Sequence, residues 1–430
     1  MRIVVIGTGY VGLTLGACLS QSGNEVICVD NNESKISDLN NGIIPFYEPN
    51  LEEIVKNNQQ LSRLSFKTDI EESLKASDIC FISVDTPQAK DGSADLSNVF
   101  NVAELIGKSI NGYKIIVNKS TVPVGTTEKL REIIGTKQTY DIVFNPEFLR
   151  QGSAINDFIN PARIIIGSDS QKAISVIKNL YSPFVKSDRT IITMDIKSAE
   201  MTKYSANAFL ATKISFINEI AQICEETGAN IENVKSGLKS DPRIGDKFFS
   251  EGIGYGGNCF PKDVRALTKI ADSYGIDADI LKSVDKRNNL QTELFTQKIV
   301  KKFKNKLSQC KFAIWGLSYK PQTSDIRNAP SLKIIDNLLN MNSKINVYDP
   351  QAVKNVKQIF QDKINYYNDQ YDVLTECDAL ILLTEWDEFK TPDFDKIKTK
   401  LNKPIIFDGR NQYDNDYLKS IGFEYFCIGK

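Results

Sequence analysis

Cys259 has the sharpest chemical setting in the chain. It closes the segment Gly252-Ile253-Gly254-Tyr255-Gly256-Gly257-Asn258-Cys259 and is followed by Phe260-Pro261-Lys262-Asp263. Glycines at this density mark backbone that must bend freely or lie close to a ligand. Lys262 and Asp263 fall at the start of a helical pattern, and a helix N-terminus with a nearby cation lowers a thiol's pKa and favours the thiolate. Cys259 is therefore a candidate nucleophile that needs no imidazole. That matters because none of the 430 residues is histidine. Ser-His-Asp and Cys-His nucleophile systems, His-held zinc, iron or haem, and HExxH metalloproteases are all excluded. Proton transfer must use Asp, Glu, Lys, Tyr, Cys or water that they hold. The other seven of the eight cysteines are scattered, mostly beside apolar residues, with no CxxC pair. They read as small buried thiols, and no metal site is expected.

A second group of residues has the chemistry of dinucleotide binding. Gly7-Thr8-Gly9-Tyr10-Val11-Gly12 follows the first apolar run and opens the first helical pattern. Gly7 permits a tight turn, Gly9 lets backbone approach a pyrophosphate, and Gly12 lets helix and strand pack closely. The pyrophosphate would rest on the helix N-terminus. Asp30 ends the next strand 18 residues after Gly12, near the ~20 expected of a ribose-binding acid. Such a carboxylate accepts from ribose hydroxyls and repels a 2′-phosphate, which favours NAD over NADP. Lys35 either reaches the same ribose or is solvated. Thr86 in Val84-Asp85-Thr86-Pro87 and Thr121 in Lys119-Ser120-Thr121-Val122-Pro123 end two further strands. Ligands of open α/β sheets bind at such carboxyl ends. Glu147, in Asn145-Pro146-Glu147-Phe148-Leu149-Arg150-Gln151, is a carboxylate in a mainly apolar strand-end turn, where catalysis is favoured over a surface charge. Lys203 and Asn207 stand four residues apart and share one face of a long helix.

The elements that position these residues follow from the apolar periodicity. Ile3–Ile6, Glu25–Val29, Ile79–Val84, Tyr113–Asn118, Asp141–Phe144 and Arg163–Gly167 are short Ile/Val-rich runs suited to strands buried on both faces. Helical stretches at Gly12–Ser22 and Leu96–Ser109 lie between them, with Asp95 or Ser97 as a cap of the second. Ser198–Thr227 contains no Pro or Gly and predicts one long helix, followed by helices near Asp263–Ser273 and Leu290–Lys304. Strands return at Phe312–Gly316, Lys344–Tyr348, Ala379–Thr384 and Ile405–Asp408, with helices at Ser331–Asn340 and Tyr371–Glu376. The expected fold class is α/β: two Rossmann-like doubly wound domains, 1–197 and 306–430, joined by a long helix and helical connector over 198–305. The 53 basic and 54 acidic side chains leave a net charge of −1, which gives no reason to expect nucleic acid or an anionic membrane. No stretch reaches transmembrane length, and the opening MRIVVIG reads as a strand rather than a signal segment, so a cytoplasmic protein is expected.

Taken together, GTGYVG, KSTVPVGT, NPEFLR, AEMTKYSANAFLATKISFINE, DPRIG, GIGYGGNCFPKD, GLSYKPQTSDIR and FDGRN occur in the order of the UDP-glucose/GDP-mannose dehydrogenase family. The resemblance runs over nearly the whole chain. It implies oxidation of a nucleotide sugar at C6 to the carboxylate with two NAD⁺, UDP-glucose being the expected substrate. Cys259 would carry a thiohemiacetal and then a thioester. Lys203 would stabilise the oxyanion with Asn207, Asp263 would orient a water with Thr121, and Glu147 would assist proton transfer and hydrolysis. Gly7, Gly9, Tyr10, Val11, Gly12, Asp30, Lys35, Thr86, Thr121, Gln151, Lys262 and Arg327 would meet NAD. Glu147, Phe148, Leu149, Arg150, Lys203, Asn207, Phe248, Phe249, Ser250, Glu251, Gly252, Gly256, Lys320 and Arg410 would meet the sugar nucleotide. Arg243 would serve the neighbouring subunit's substrate site, which implies a homodimer or higher homo-oligomer.

One position departs from the family, which commonly has Glu where this chain has Gln151. An amide can hold a water but cannot take its proton, so the hydrolytic base falls to Glu147 or Asp263. Three alternatives remain open on sequence. The same chemistry could act on UDP-N-acetylmannosamine, UDP-N-acetylglucosamine or GDP-mannose. A dehydrogenase of the 6-phosphogluconate type also couples a Rossmann domain to a long helix with a Lys/Asn pair, but it has no use for the cysteine loop. A non-catalytic sensor would be marked by loss of Cys259, Lys203 or Asp263, and all three are present.

Overall fold

The computed structural model describes residues 1–186 and 190–430. They divide into two compact units, Met1–Ala206 and Asn207–Lys430. The first unit is built on strands β1 (Arg2–Ile6), β2 (Glu25–Val29), β3 (Leu64–Lys67), β4 (Ile79–Ile82), β5 (Lys114–Asn118), β6 (Tyr140–Phe144), β7 (Ile164–Gly167) and β8 (Ile191–Met194). They form one sheet in the order β3-β2-β1-β4-β5-β6-β7-β8. All neighbours run parallel except β6 and β7. The continuous apolar runs explain the sheet's burial. Successive side chains point to opposite faces, so Ile3 and Val5 enter one core while Val4 and Ile6 enter the other. In register, Ile3 lies beside Val26 of β2 and Ile79 of β4. The strand order reverses between β1 and β4, where a doubly wound sheet opens its ligand crevice.

In the second unit, helices Ile231–Lys239, Phe260–Ser273 and Asp279–Phe303 precede strands β9 (Lys311–Trp315), β10 (Lys344–Tyr348), β11 (Asn365–Tyr366), β12 (Ala379–Leu382), β13 (Ile405–Asp408) and β14 (Glu424–Phe426). These six strands are all parallel, in the order β11-β10-β9-β12-β13-β14. This repeats the first six strands of the other sheet. Phe312 and Ile314 pack into one core and Ala313 and Trp315 into the other. Trp315 stacks on Phe389 with ring centroids 4.9 Å apart. A single helix, Ile196–Thr227, runs from the first unit into the second.

Several boundaries differ from expectation for physical reasons. Strands β3, β8, β11 and β14 have no long apolar run behind them. All four are edge strands, buried on one face at most. The helix expected from Leu290 begins at Asp279, because polar side chains stand at its core-facing positions. Arg287 there donates to Asn218 O (2.7 Å) and Gln291 Oε1 (2.9 Å), which hides the apolar stripe. Tyr371–Glu376 forms only a short 3-10 turn at Asp372–Leu374. Neither Asp95 nor Ser97 takes the N-cap position of helix Ser97–Ser109. Leu96 does, and the Asp95 carboxylate accepts from Ser97 N–H at 2.9 Å. No helix among the described residues is long and apolar enough to cross a membrane.

Candidate active site

The first sheet's crevice has the shape of a dinucleotide cradle. Gly7 has φ +101° and donates to Val29 O at 2.7 Å, and a Cβ there would stand 2.3 Å from Ser83 O. A Cβ on Gly12 would stand 1.9 Å from Gly7 O, so strand and helix touch through backbone. Helix Tyr10–Gln21 begins directly after Gly9, with no side chain capping its first amides and no acidic residue in its first turn. Those donors suit an anion. Tyr10 meets Phe46 edge-on at 5.8 Å, and Val11 is half-buried beside it. At the end of β2, Asp30 Oδ2 accepts from Thr8 N (3.0 Å), Thr8 Oγ1 (2.7 Å) and Lys35 Nζ (2.8 Å). Burial acts to raise this carboxyl, but Lys35 and the Thr8 donors outweigh it and hold it at about 2. Asp30 is thus an anion at neutral pH with its other oxygen turned toward Asn32 N (3.2 Å). The cradle and the ionised strand-end acid fit NAD, which Gly7–Gly12, Asp30 and Lys35 would hold.

The two strand-end threonines come together, with Thr86 Oγ1 donating to Thr121 O at 2.9 Å. The loop after Thr121 is fixed from the long helix. Glu200 is fully buried and accepts from Gly125 N (2.6 Å) and Thr127 N (2.8 Å), capping helix Thr126–Ile134. Burial raises the Glu200 carboxyl, opposed by these same donors. One turn further along, Lys203 Nζ donates to Glu147 Oε1 (3.0 Å) and Glu147 O (2.6 Å). Glu147 Oε2 in turn accepts from Leu149 N at 2.6 Å. The pair is dry, with side chains 3% and 6% exposed. Phe148 lies under both Arg163 (3.6 Å) and Lys203 (5.1 Å). Arg150 faces outward and pairs with Asp157 at 2.6 Å, while Gln151 is half-buried.

In the second unit Cys259 is exposed and occupies the N-cap position of helix Phe260–Ser273. Pro261, in the first turn of that helix, has no N–H to leave unsatisfied there. Asp263, almost fully buried, is engaged on both oxygens: Asn207 Nδ2 donates to Oδ2 (2.6 Å) and Lys262 Nζ lies 2.7 Å from Oδ1. The glycine segment is held by close approach rather than by its own side chains. A Cβ on Gly256 would stand 2.4 Å from Asn328 O, and Gly252 N donates to Asn218 Oδ1 at 2.9 Å. Glu251 is buried against Lys235 (2.8 Å) and Asn411 Nδ2 (2.6 Å). Phe249 is buried under Lys213 (4.4 Å), Phe248 faces Phe260 (6.1 Å) with φ +63°, and Ser250 is exposed.

The second sheet presents its own crevice. Arg410 spans it, with Nε donating to Leu383 O (2.8 Å) beyond β12 and Nη2 donating to Tyr319 O (3.1 Å) beyond β9. Lys320 lies beside Tyr319, half-buried. Asp349 stands after β10 as Asp30 stands after β2, yet its setting differs. Its Oδ2 accepts from Leu317 N (2.7 Å), Ser318 N (3.1 Å) and Trp386 Nε1 (3.1 Å), and it is 3% exposed. A ribose cannot reach that carboxylate. The strand-end acid of the first sheet is thus the more open of the two.

Arg327 and Arg243 are held alike, each by an aspartate two residues before it, Asp325 (2.7 Å) and Asp241 (2.6 Å). Arg243 is 88% exposed and pairs with no other residue among those described, so this chain does not bring it to the remaining site residues. Lys119, Asn145, Tyr181, Glu200, Lys235 and Asn218 belong to the supporting structure but escape sequence reasoning. Lys119 and Asn145 open segments singled out for other members, and Glu200 precedes Lys203 by one turn. Asn218 lies within the long-helix segment quoted for the family, and Tyr181 and Lys235 carry no local signal.

A doubly wound sheet with an ionised strand-end acid, and a second sheet of the same order in a unit with an exposed cysteine at a helix N-terminus, define a nicotinamide-dinucleotide-dependent dehydrogenase. The chain belongs to the UDP-glucose/GDP-mannose dehydrogenase family. Its NAD binding domain matches residues 1–185, its central domain 197–290 and its UDP binding domain 313–415. The UDP-glucose 6-dehydrogenase TuaD of Bacillus subtilis is 45% identical, over all of this chain and 93% of that one. A UDP-glucose dehydrogenase from the hyperthermophilic archaeon Pyrobaculum islandicum superposes with a TM-score of 0.90 at 32% identity, over 99% of this chain and 96% of that one. A UDP-D-ManNAc dehydrogenase from Pyrococcus horikoshii gives 0.88 at 27% identity, over 100% and 99%. The cofactor is NAD.

Proposed function

We propose that the chain oxidises UDP-glucose at C6 to UDP-glucuronate in two oxidations. What supports this reading most is the setting of Cys259: an exposed thiol at a helix N-terminus, beside a buried Lys262–Asp263–Asn207 network, in a chain with no histidine. NAD, which Gly7–Gly12 and Asp30 would hold, would supply the hydride acceptor for each oxidation. The first turns the C6 alcohol into an aldehyde, and its hydroxyl proton passes to a water oriented by Asp263 and Thr121. The Cys259 thiolate then adds to the aldehyde carbon, and Lys203 and Asn207 hold the resulting oxyanion. Oxidation of that thiohemiacetal leaves a thioester. Water adds to the thioester carbon, the C–S bond breaks, and the carboxylate leaves with the thiol restored. Glu147 or Asp263 takes the water's proton, since Gln151 has no basic oxygen. Lys320 and Arg410 take the UDP phosphates, and Phe248–Gly252 and Gly256 line the sugar.

The functional form in this reading is a homodimer in the cytoplasm. Phe209, Phe216 and Ile223 recur every seven residues along the long helix and are 66%, 48% and 51% exposed, an apolar stripe of the kind a second copy covers. Arg243, exposed and paired with Asp241, would then serve the partner's substrate. Eight cysteines outside any disulfide suit a reducing compartment.

The test is a panel of UDP- and GDP-sugars offered with NAD⁺ or NADP⁺, counting NADH formed per sugar consumed. Two per UDP-glucose is expected, with Cys259→Ser binding both ligands yet making no carboxylate. Preference for a UDP-N-acetylhexosamine or GDP-mannose would redirect the substrate, and normal glucuronate formation by Cys259→Ser would remove the nucleophile.

A further inference from the structure

Lys119 is an ammonium group buried to 5% exposure with no carboxylate bonded to it among the described residues. Its Nζ donates to Asn145 Oδ1 (2.9 Å) and Tyr181 Oη (3.1 Å), and Tyr181 Oη donates to the same Asn145 oxygen (2.7 Å). Asn145 is fully buried and has no freedom left. Its Nδ2 donates to Ile165 O at 2.7 Å and its backbone N to Asn118 O at 2.9 Å. Two residues later the same turn delivers Glu147 to Lys203. Burying an ammonium without a counter-charge is costly, and an apolar side chain would fill this space at less cost. An ionisable amine in such a place points to a use for it.

We propose that Lys119 is a positioning residue for Glu147, holding the Asn145-Pro146-Glu147 turn through Asn145 and setting the charge balance of the Glu147–Lys203 pair. The inference rests on the reading of Glu147 as an acid/base group. The charged and titratable groups facing this cluster are few. Glu147 favours the Lys119 ammonium and Lys203 opposes it. Tyr181 offers its hydroxyl, the Cys18 thiol lies near that hydroxyl, and Arg163 lies across Phe148. Burial, the largest influence, pulls Lys119 down to about 7. In a chain without histidine, it is a group that titrates near neutrality beside the machinery. Above that pH the neutral amine no longer opposes the Lys203 ammonium or favours the Glu147 carboxylate. Turnover should therefore respond to a group that never touches substrate.

The experiment uses the full chain, with kcat and KM followed from about pH 5 to 9, and NAD binding measured separately by fluorescence. Wild type is expected to show an inflection in kcat near 7. Lys119→Met should abolish it and lower kcat by about tenfold or more, with KM and NAD affinity within about twofold. Lys119→Arg keeps the cation at every pH and should restore most of kcat without the inflection. Tyr181→Phe removes an acceptor of the ammonium, so the inflection should move to lower pH. An inflection unchanged in Lys119→Met, or kcat and NAD affinity lost together, overturns the proposal. If Lys119→Met does not fold, an unmoved inflection in Tyr181→Phe does so. Full activity in Glu147→Gln would instead overturn the reading of Glu147 on which the proposal stands.

Discussion

The Lys203–Glu147 pair allows a quantitative test. Both side chains are nearly dry, and Lys203 Nζ has the Glu147 carboxylate at 3.0 Å and the Glu147 carbonyl at 2.6 Å. Glu147→Gln leaves the buried ammonium facing a neutral amide. Lys203→Met leaves a buried carboxylate with the Leu149 N–H. Breaking one side of a buried pair costs about 3–5 kcal/mol, because the surviving charge loses its hydrogen-bonded counter-charge. The pair belongs to the unit Met1–Ala206, and in a domain of that size each kcal/mol moves Tm by about 2–4 °C. Each single variant should thus lower the transition of that unit by roughly 6–20 °C in calorimetry of the ligand-free full chain. The double variant removes both charges, so its loss should fall short of the sum by about 2–3 kcal/mol. Single variants within about 2 °C of wild type, or strict additivity, would refute the claim that the two charges depend on each other.

Two further outcomes follow from residues already placed. Gln151→Glu should leave binding of both ligands intact and speed thioester hydrolysis, read as the single-turnover rate of the second half-reaction; an unchanged rate refutes it. Phe216→Glu puts a charge into the apolar stripe of the long helix and should yield monomers in sedimentation with secondary structure retained; a persisting dimer shows that another surface joins the subunits.

What the sequence discloses is whatever a short segment carries within itself. Gly7 to Gly12 announce a cradle because the steric demand lies between neighbours in sequence, and Asp30 follows at a spacing set by one helix and one strand. The apolar runs of β1, β4 and β5 are buried on both faces and so stand out, whereas β3 and β8, at the edges of the same sheet, do not. Helix Asp279–Phe303 reads too short in sequence because Arg287 and Gln291 satisfy each other inside the core. The supporting residues are the least legible. Lys119 meets Tyr181 across 62 positions and Glu200 meets Gly125 across 75, and no local pattern encodes such pairings. Tyr371–Glu376 errs the other way: helix-forming residues stop at a three-residue turn, where Thr375 leaves the helical conformation and Glu376 takes φ +59°.

The indole of Trp386 on Asp349 has a thermodynamic consequence. A ligand that binds only the folded state adds stability in proportion to the logarithm of its concentration, about 2.7 kcal/mol at a hundred times its dissociation constant. A dinucleotide bound in the crevice beside Asp30 would bring that linkage to the first sheet, whose firmness would then track the supply of dinucleotide. The Asp349 carboxylate needs no ligand, because the protein supplies its own donors there. One sheet order thus appears twice in the chain, with its strand-end acid once open to a ligand's hydroxyls and once satisfied by the protein's own indole.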